Sequence, residues 1–226
     1  MSPIVISLGG SLVAPPSGID TAFLKEFRDL MLKEIAAGRR FIFIVGGGST
    51  ARAYMRAANE IAPLESDDMD WLGIHATRIN GHLLRTVFRD VAHPIMIKNP
   101  MHVVRWTKPV LVAAGWKPGW STDYIAVRLA KRFHAQEVIN LSNIERVYDQ
   151  DPAKFPHAKP FDRLDWPTFR GLVGDTWSPG SNAPFDPVAS KLAQRCHMKV
   201  IIARGTDLKN LKKILDGKKF VGTSVE

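Results

Sequence analysis

Two glycine turns carry most of the chemistry this sequence can do. Gly9-Gly10-Ser11 follows the apolar run Ile4-Val5-Ile6-Ser7-Leu8, and Gly46-Gly47-Gly48-Ser49 follows Phe41 to Val45. Glycine lets a backbone approach an anion closely, and a helix starting there offers free N–H groups and the positive end of its dipole. Two such turns suit a ligand with several phosphates, or two phosphorylated ligands facing each other. Tight strand-to-helix turns alone also explain such glycines. No G-x-x-x-x-G-K-[ST] is present, which excludes a P-loop enzyme, and no G-x-G-x-x-G, which argues against a nicotinamide site. Neither Ser11 nor Ser49 sits in G-x-S-x-G, the hydrolase nucleophile elbow. The seven histidines show no H-x-x-x-H or other ligand spacing, so the sequence assigns no metal ligand.

The elements that must position these turns alternate. Strands are expected at 4–8, 41–45, 94–98, 109–114, 136–141 and 199–203. Helices are expected at 19–37, 49–62, 74–88, 123–133, 186–196 and 208–215, the first capped by Asp20 or Thr21 and closed by Gly38. Pro152, Pro156 and Pro160 make 152–164 a loop or a broken edge ribbon. Alternation of this kind implies a three-layer α/β/α domain with a mostly parallel central sheet. The expected arrangement is a single domain over 1–226, with an N-terminal lobe to about residue 150 and a smaller lobe over 151–226 on the same sheet.

The chain has 226 residues, 45% apolar and 23% charged, which is ordinary globular composition. Its one cysteine, Cys196, excludes an internal disulfide framework and a multi-cysteine zinc site; a small buried apolar role is expected for it. Apolar runs reach only five residues, too short to span a bilayer, and Met1-Ser2-Pro3-Ile4 lacks the basic start of a signal peptide. A cytoplasmic protein without membrane contact is the expectation. The net charge of +9 fits an anionic ligand, a nucleotide or a nucleic acid. Nine basic residues lie between Lys191 and Lys219, opposed only by Asp207 and Asp216. A solvated helix face accounts for them. No aromatic residue interleaves before Phe220, so a nucleic-acid partner is not expected.

Taken in order, several motifs resemble the amino acid kinase family. They are Gly9-Gly10-Ser11-Leu12, the run Val45 to Arg52, the segment Leu72 to Asn80, and Pro118-Gly119-Trp120-Ser121-Thr122-Asp123. Asn140 to Pro152 resembles the family's T-N-V-D-G-V-Y-x-x-D-P, and Asp186-Pro187-Val188-Ala189-Ser190-Lys191 its D-P-L-A-A-K. Within the family the segment Leu72 to Asn80 resembles the UMP kinase branch of archaeal type.

That resemblance implies direct in-line transfer of the γ-phosphoryl group of ATP, with Mg²⁺, to UMP. Such transfer needs positioning and charge neutralisation more than covalent chemistry. By resemblance, Gly9, Gly10 and Ser11 cradle the transferring phosphate, Gly46 and Gly47 lie between the nucleotides, and Arg52 reaches the phosphates. Asp70 contacts the acceptor ribose, although a helix N-cap explains the residue equally. Trp116, Lys117, Pro118, Gly119, Trp120, Ser121 and Thr122 form the acceptor loop. Asp123 organises the donors and Mg²⁺ around the transferring group; as a helix opener it also fits a cap. Ser142, Asn143, Tyr148 and Asp151 meet the ATP side. The N-terminal lobe then binds the acceptor and the C-terminal lobe ATP. The family forms hexamers built from dimers, which implies a homo-oligomer.

Three departures stand out. Ser7 occupies the position where many amino acid kinases carry a lysine, which leaves the cationic role to Arg52, Lys117 or Lys191. Glu145-Arg146 replaces the usual Asp-Gly, and Trp116 and Trp120 make the acceptor loop unusually aromatic, either packing together or stacking on a base. Other readings stay open: a kinase of the same fold for another small acceptor such as isopentenyl phosphate, a non-catalytic nucleotide-binding or storage protein, and a nucleic-acid binder motivated by charge alone.

Overall fold

Alternating apolar side chains on the central strands divide the core into two halves. In a computed structural model, which describes residues 2–102, 105–176 and 183–226, these halves pack on opposite faces of one sheet. The chain opens with β1 (Ile4–Leu8), α1 (Gly10–Val13), α2 (Thr21–Ala36), β2 (Phe41–Val45), α3 (Gly48–Ile61) and α4 (Ser66–Val87). It continues with β3 (Val110–Ala113), α5 (Thr122–Arg132), β4 (Glu137–Ser142), β5 (Val147–Tyr148), β6 (Pro160–Phe161) and β7 (Arg163–Leu164). Then come α6 (Trp166–Val173), α7 (Pro187–Arg195), β8 (Lys199–Arg204), α8 (Leu208–Leu215) and β9 (Thr223–Val225).

The sheet has the order β3-β2-β1-β4-β8-β9-β7, with β3, β2, β1, β4 and β8 all parallel. On β2, Ile42 and Ile44 face the half that holds α5, α6 and α7. Phe41, Phe43 and Val45 face the half that holds α2, α4 and α8. Both faces are covered, as a parallel sheet requires, so the three-layer α/β/α expectation holds. Side chains such as Phe27, Phe43 and Phe169 are fully buried, each stabilising by about 1.5–3 kcal/mol. Among the described residues no helix is long and apolar enough to cross a membrane.

Several elements depart from expectation. Helix α4 begins at Ser66 rather than at residue 74, because its first turns are polar and show no apolar period (Asp67 and Asp68 lie there). The strand expected at 94–98 is absent. Only isolated bridges, Ala92 to Val110 and Ile97 to Ala113, run beside β3, since Pro94 cannot donate to a ladder. Helix α6, started by an Asp165 cap and Pro167, and the short closing strand β9 were not expected. Cys196 caps α7 and packs half-buried on the core.

Strand order places the site. From β1 the chain moves outward through β2 and β3, then returns to the other side of β1 as β4. The order reverses between β1 and β4, and in open α/β sheets the crevice for ligands lies there, outside the carboxyl ends of the strands.

Candidate active site

The two glycine turns leave β1 and β2 at that edge and interlock. Gly46 donates its N–H to Leu8 O at 2.9 Å, and Gly9 donates to Leu141 O at 2.7 Å, so the turns are tied to each other and to β4. A Cβ on Gly10 would lie 2.0 Å from Gly48 N, and one on Gly48, at φ +63°, would lie 2.4 Å from Gly10 O. No other residue fits at either position. Helix α1 starts at Gly10 and α3 at Gly48. Both N-termini therefore open on the same crevice edge, bringing together Gly9, Gly10, Ser11, Gly46 and Gly47. Ser49 is committed elsewhere, its hydroxyl donating to Ala14 O and Pro15 O at 2.8 and 2.7 Å.

Asp123 lies at the start of α5, but the cap of that helix is Ser121, whose Oγ accepts the Tyr124 N–H. The carboxylate is thereby released for other partners. Its Oδ1 accepts the Ser7 hydroxyl at 3.1 Å, and its Oδ2 accepts the Asp186 N–H at 3.2 Å. Asp186 in turn caps α7, accepting the Ala189 N–H at 2.5 Å, and its second oxygen is buried without a partner. Burial raises the Asp123 carboxyl to about 6 against these two hydrogen bonds, while the residue keeps an open side. Burial raises Asp186 to about 7; the Ala189 N–H that it accepts opposes this, and the Asp123 charge adds to it. Two carboxyl groups raised by burial thus lie at the same sheet edge as the two glycine turns.

Asp70 is buried in the second turn of α4, well inside the helix, so it is not a cap. Its Oδ2 accepts the Gly119 N–H of the loop from Trp116 to Thr122 at 2.7 Å, and burial raises its pKa. Trp116, Trp120 and Tyr124 form a continuous aromatic stack, with centroid separations of 6.1 and 4.0 Å, and Lys117 Nζ lies 4.7 Å over the Trp116 ring. The loop tryptophans therefore pack on each other. On the far side of the crevice, Ser142 ends β4 and its Oγ accepts the Ile144 N–H, with exposed Asn143 between them. Tyr148 pairs with Pro160 in the β5–β6 ribbon, and Asp151 turns the chain after it by accepting the Ala153 N–H.

Two of the sequence candidates are not bonded into this cluster. Arg52 is exposed on α3 and Lys191 is exposed on α7. Among the described residues neither makes a hydrogen bond or ion pair with Asp123. The structure adds residues that the sequence did not single out. Asp186 is one, and its signal was the D-P-V-A-S-K motif. Asn80 is another: buried, it donates to Gly46 O and Gly47 O at 2.9 and 3.2 Å and fixes the second turn. Thr77 and Arg78 hold the loop after β3. All three lie in the Leu72 to Asn80 run, but nothing in their spacing marks them. Among the described residues no group of three or more His, Cys, Asp or Glu side chains could hold a metal ion by itself.

The fold thus places both glycine turns, Asp123 and Asp186 at one sheet edge. The family model described as the amino acid kinase family matches residues 2–204, and the chain belongs to that family. It is 34% identical to the uridylate kinase of Thermoplasma volcanium, over 99% of this chain and 97% of that one. It is 33% identical to that of Methanocaldococcus jannaschii, over 95% and 97%. The crystal structure of uridylate kinase from Archaeoglobus fulgidus superposes with a TM-score of 0.83 at 31% identity, covering all of both chains. UMP kinase from Bacillus anthracis, at 17% identity and TM-score 0.81, shares the fold.

Proposed function

We propose that this protein is a UMP kinase, transferring the γ-phosphoryl group of ATP directly to UMP to give UDP and ADP. The observation that carries the reading is the convergence of both glycine turns and Asp123 on the β1–β4 switch point, together with full-length similarity to uridylate kinases. In this reading the N-terminal half receives UMP on Gly46, Asp70 and the loop from Trp116 to Thr122. The half beyond about residue 150 receives ATP through Tyr148 and Asp151, joined by Ser142 and Asn143 at the end of β4.

Transfer needs the acceptor phosphate and the γ-phosphoryl group in line and close, with their charge neutralised. Gly10, Ser11 and Gly47 supply backbone N–H groups at the ends of α1 and α3, while Gly9, its N–H spent on Leu141 O, gives the turn its close approach. Arg52 and Lys191 are exposed side chains long enough to swing onto bound phosphates, and Lys117 offers a third cation on the acceptor loop. Asp123, held on both oxygens, keeps a fixed place among these donors and orients them. The hydroxyl that pairs with a carboxylate in this cluster, Ser7 with Asp123, is buried, which suits direct transfer without a phosphoenzyme.

The site also fits Mg²⁺. This ion is commonly held by one or two carboxylates plus substrate phosphates. Asp123 and the unpartnered oxygen of Asp186 are such groups. When bound, the ion would neutralise charge on the β- and γ-phosphates. The acceptor test is ADP release from Mg-ATP with UMP, CMP, dUMP, AMP and isopentenyl phosphate in turn. Selective turnover with UMP is expected; preference for isopentenyl phosphate would move this chain to another kinase of the same fold.

A further inference from the structure

The loop between β3 and α5 is held from outside by three side chains on one face of α4, spaced i, i+7 and i+8. Thr77 Oγ1 accepts the Gly115 N–H at 2.8 Å and donates to Ile74 O at 2.7 Å. Arg78 donates from Nε to Gly115 O at 3.2 Å and from Nη2 to Trp116 O at 2.8 Å. Asp70 receives the Gly119 N–H further along. Four backbone groups of a short loop are thus fixed before any ligand arrives.

Arg78 is an unusual choice for this work. It is half-buried, and among the described residues it forms no ion pair with a carboxylate. The Trp71 ring lies 5.9 Å from Cζ and covers one side of the guanidinium. Its planar fork therefore has one fixed orientation, and it spends two donors on neighbouring carbonyls. The carbonyls it holds, Gly115 and Trp116, set the direction in which the loop leaves β3. Trp116 then carries the stack through Trp120 to Tyr124 of α5.

We propose that Arg78, supported by Thr77, is a positioning residue that sets the acceptor loop in its binding geometry. The acceptor pocket is then formed in advance, and the acceptor does not have to order it. This rests on the reading that residues 116–122 receive UMP. Arg78 itself need not touch the nucleotide; it acts through the loop backbone. Lysine cannot replace it, because one ammonium cannot bridge two adjacent carbonyls with a fixed fork.

The experiment combines steady-state kinetics with backbone amide exchange on the full chain, using wild type, Arg78→Ala, Arg78→Lys and Thr77→Ser. Arg78→Ala is expected to raise KM for UMP roughly tenfold or more while KM for ATP moves less than about twofold. Exchange at Gly115 and Gly119 should quicken in the same variant without UMP. Arg78→Lys should recover only part of the loss, and Thr77→Ser, which keeps the hydroxyl, should stay near wild type. Should Arg78→Ala fail to fold, Arg78→Lys carries the same comparison. Unchanged loop exchange in either Arg78 variant, or KM values for UMP and ATP rising together, would overturn the inference. In wild type, UMP should slow exchange across Trp116 to Thr122; protection elsewhere in the chain would overturn the acceptor-loop reading on which the inference rests.

Discussion

The backbone N–H of Asp186 donates to Oδ2 of Asp123 at 3.2 Å, so the first residue of the α7 cap holds the carboxylate at the start of α5. With the Ser7 hydroxyl on Oδ1, both oxygens of Asp123 are fixed from two different elements, β1 and α7. The position where many relatives of this fold place a lysine is thus a small hydroxyl donor. Asp123→Asn should keep the fold, since its amide oxygen can still accept the Asp186 N–H while its NH2 donates to the Ser7 hydroxyl, which can turn to accept. It should cut kcat by about 10²-fold or more, the scale of losing a fixed charge beside the reacting phosphates. Wild-type turnover from the purified variant would remove Asp123 from the mechanism.

Asp186 carries structure as well as charge. Asp186→Ala removes the α7 cap and should cost about 1 kcal/mol or more in denaturant unfolding. Asp186→Asn keeps a capping oxygen and should cost less, so the gap between the two variants measures the cap alone. Equal losses would mean that the cap contributes nothing.

Both carboxyl groups of this pair titrate above the usual carboxylate range, Asp123 near 6 and Asp186 near 7. Burial opposes their ionised forms, so the folded state binds protons that the unfolded chain has already released. In metal-free protein, stability should therefore rise as pH falls from about 8 to 5. It should level off only near the unfolded carboxylate pKa, about 4. Midpoints of urea unfolding across that range, with a chelator present, check the sign. A Asp123→Asn, Asp186→Asn double variant should flatten the curve; an unchanged slope would assign it to other groups.

Gly10 and Gly119 should respond differently to alanine. Gly10 has no room for a Cβ against the second turn, so Gly10→Ala should prevent folding or reduce stability by several kcal/mol. Gly119, at φ +81° with open space around it, should lose only about 1 kcal/mol from backbone strain. Thermal unfolding separates the two, and a stable Gly10→Ala protein would contradict the interlocked turns.

Trp120 lies between Trp116 and Tyr124, and removing it breaks the stack at its middle. Trp120→Ala should weaken UMP binding more than ATP binding, read by titration with each nucleotide. Equal weakening would mean that the ring only packs. Arg52 is exposed, so Arg52→Ala should leave unfolding unchanged and lower turnover.

Much of this arrangement was legible in the sequence because it is local. The apolar runs at 4–8, 41–45 and 199–203 can only be buried strands, and the glycines after the first two can only be turns. What was not legible depends on partners distant in sequence. The spacing of Asp123 fits a cap as well as an active-site carboxylate, and only folding shows that Ser121 has taken the cap. Asp70 reads equally as a cap until α4 is seen to start at Ser66. Asn80, Thr77 and Arg78 act on backbone atoms more than thirty residues away, and no periodicity reveals such bonds. The 94–98 segment has the apolar residues of a strand, but only Ile97 bridges to β3, so no ladder forms.

Direct phosphoryl transfer to UMP at the β1–β4 switch point is tested most directly with γ-labelled ATP. Label should appear in the β-phosphate of UDP, with none retained on the protein. Release of the label as inorganic phosphate with UMP unchanged, or its transfer to the protein, would contradict that claim.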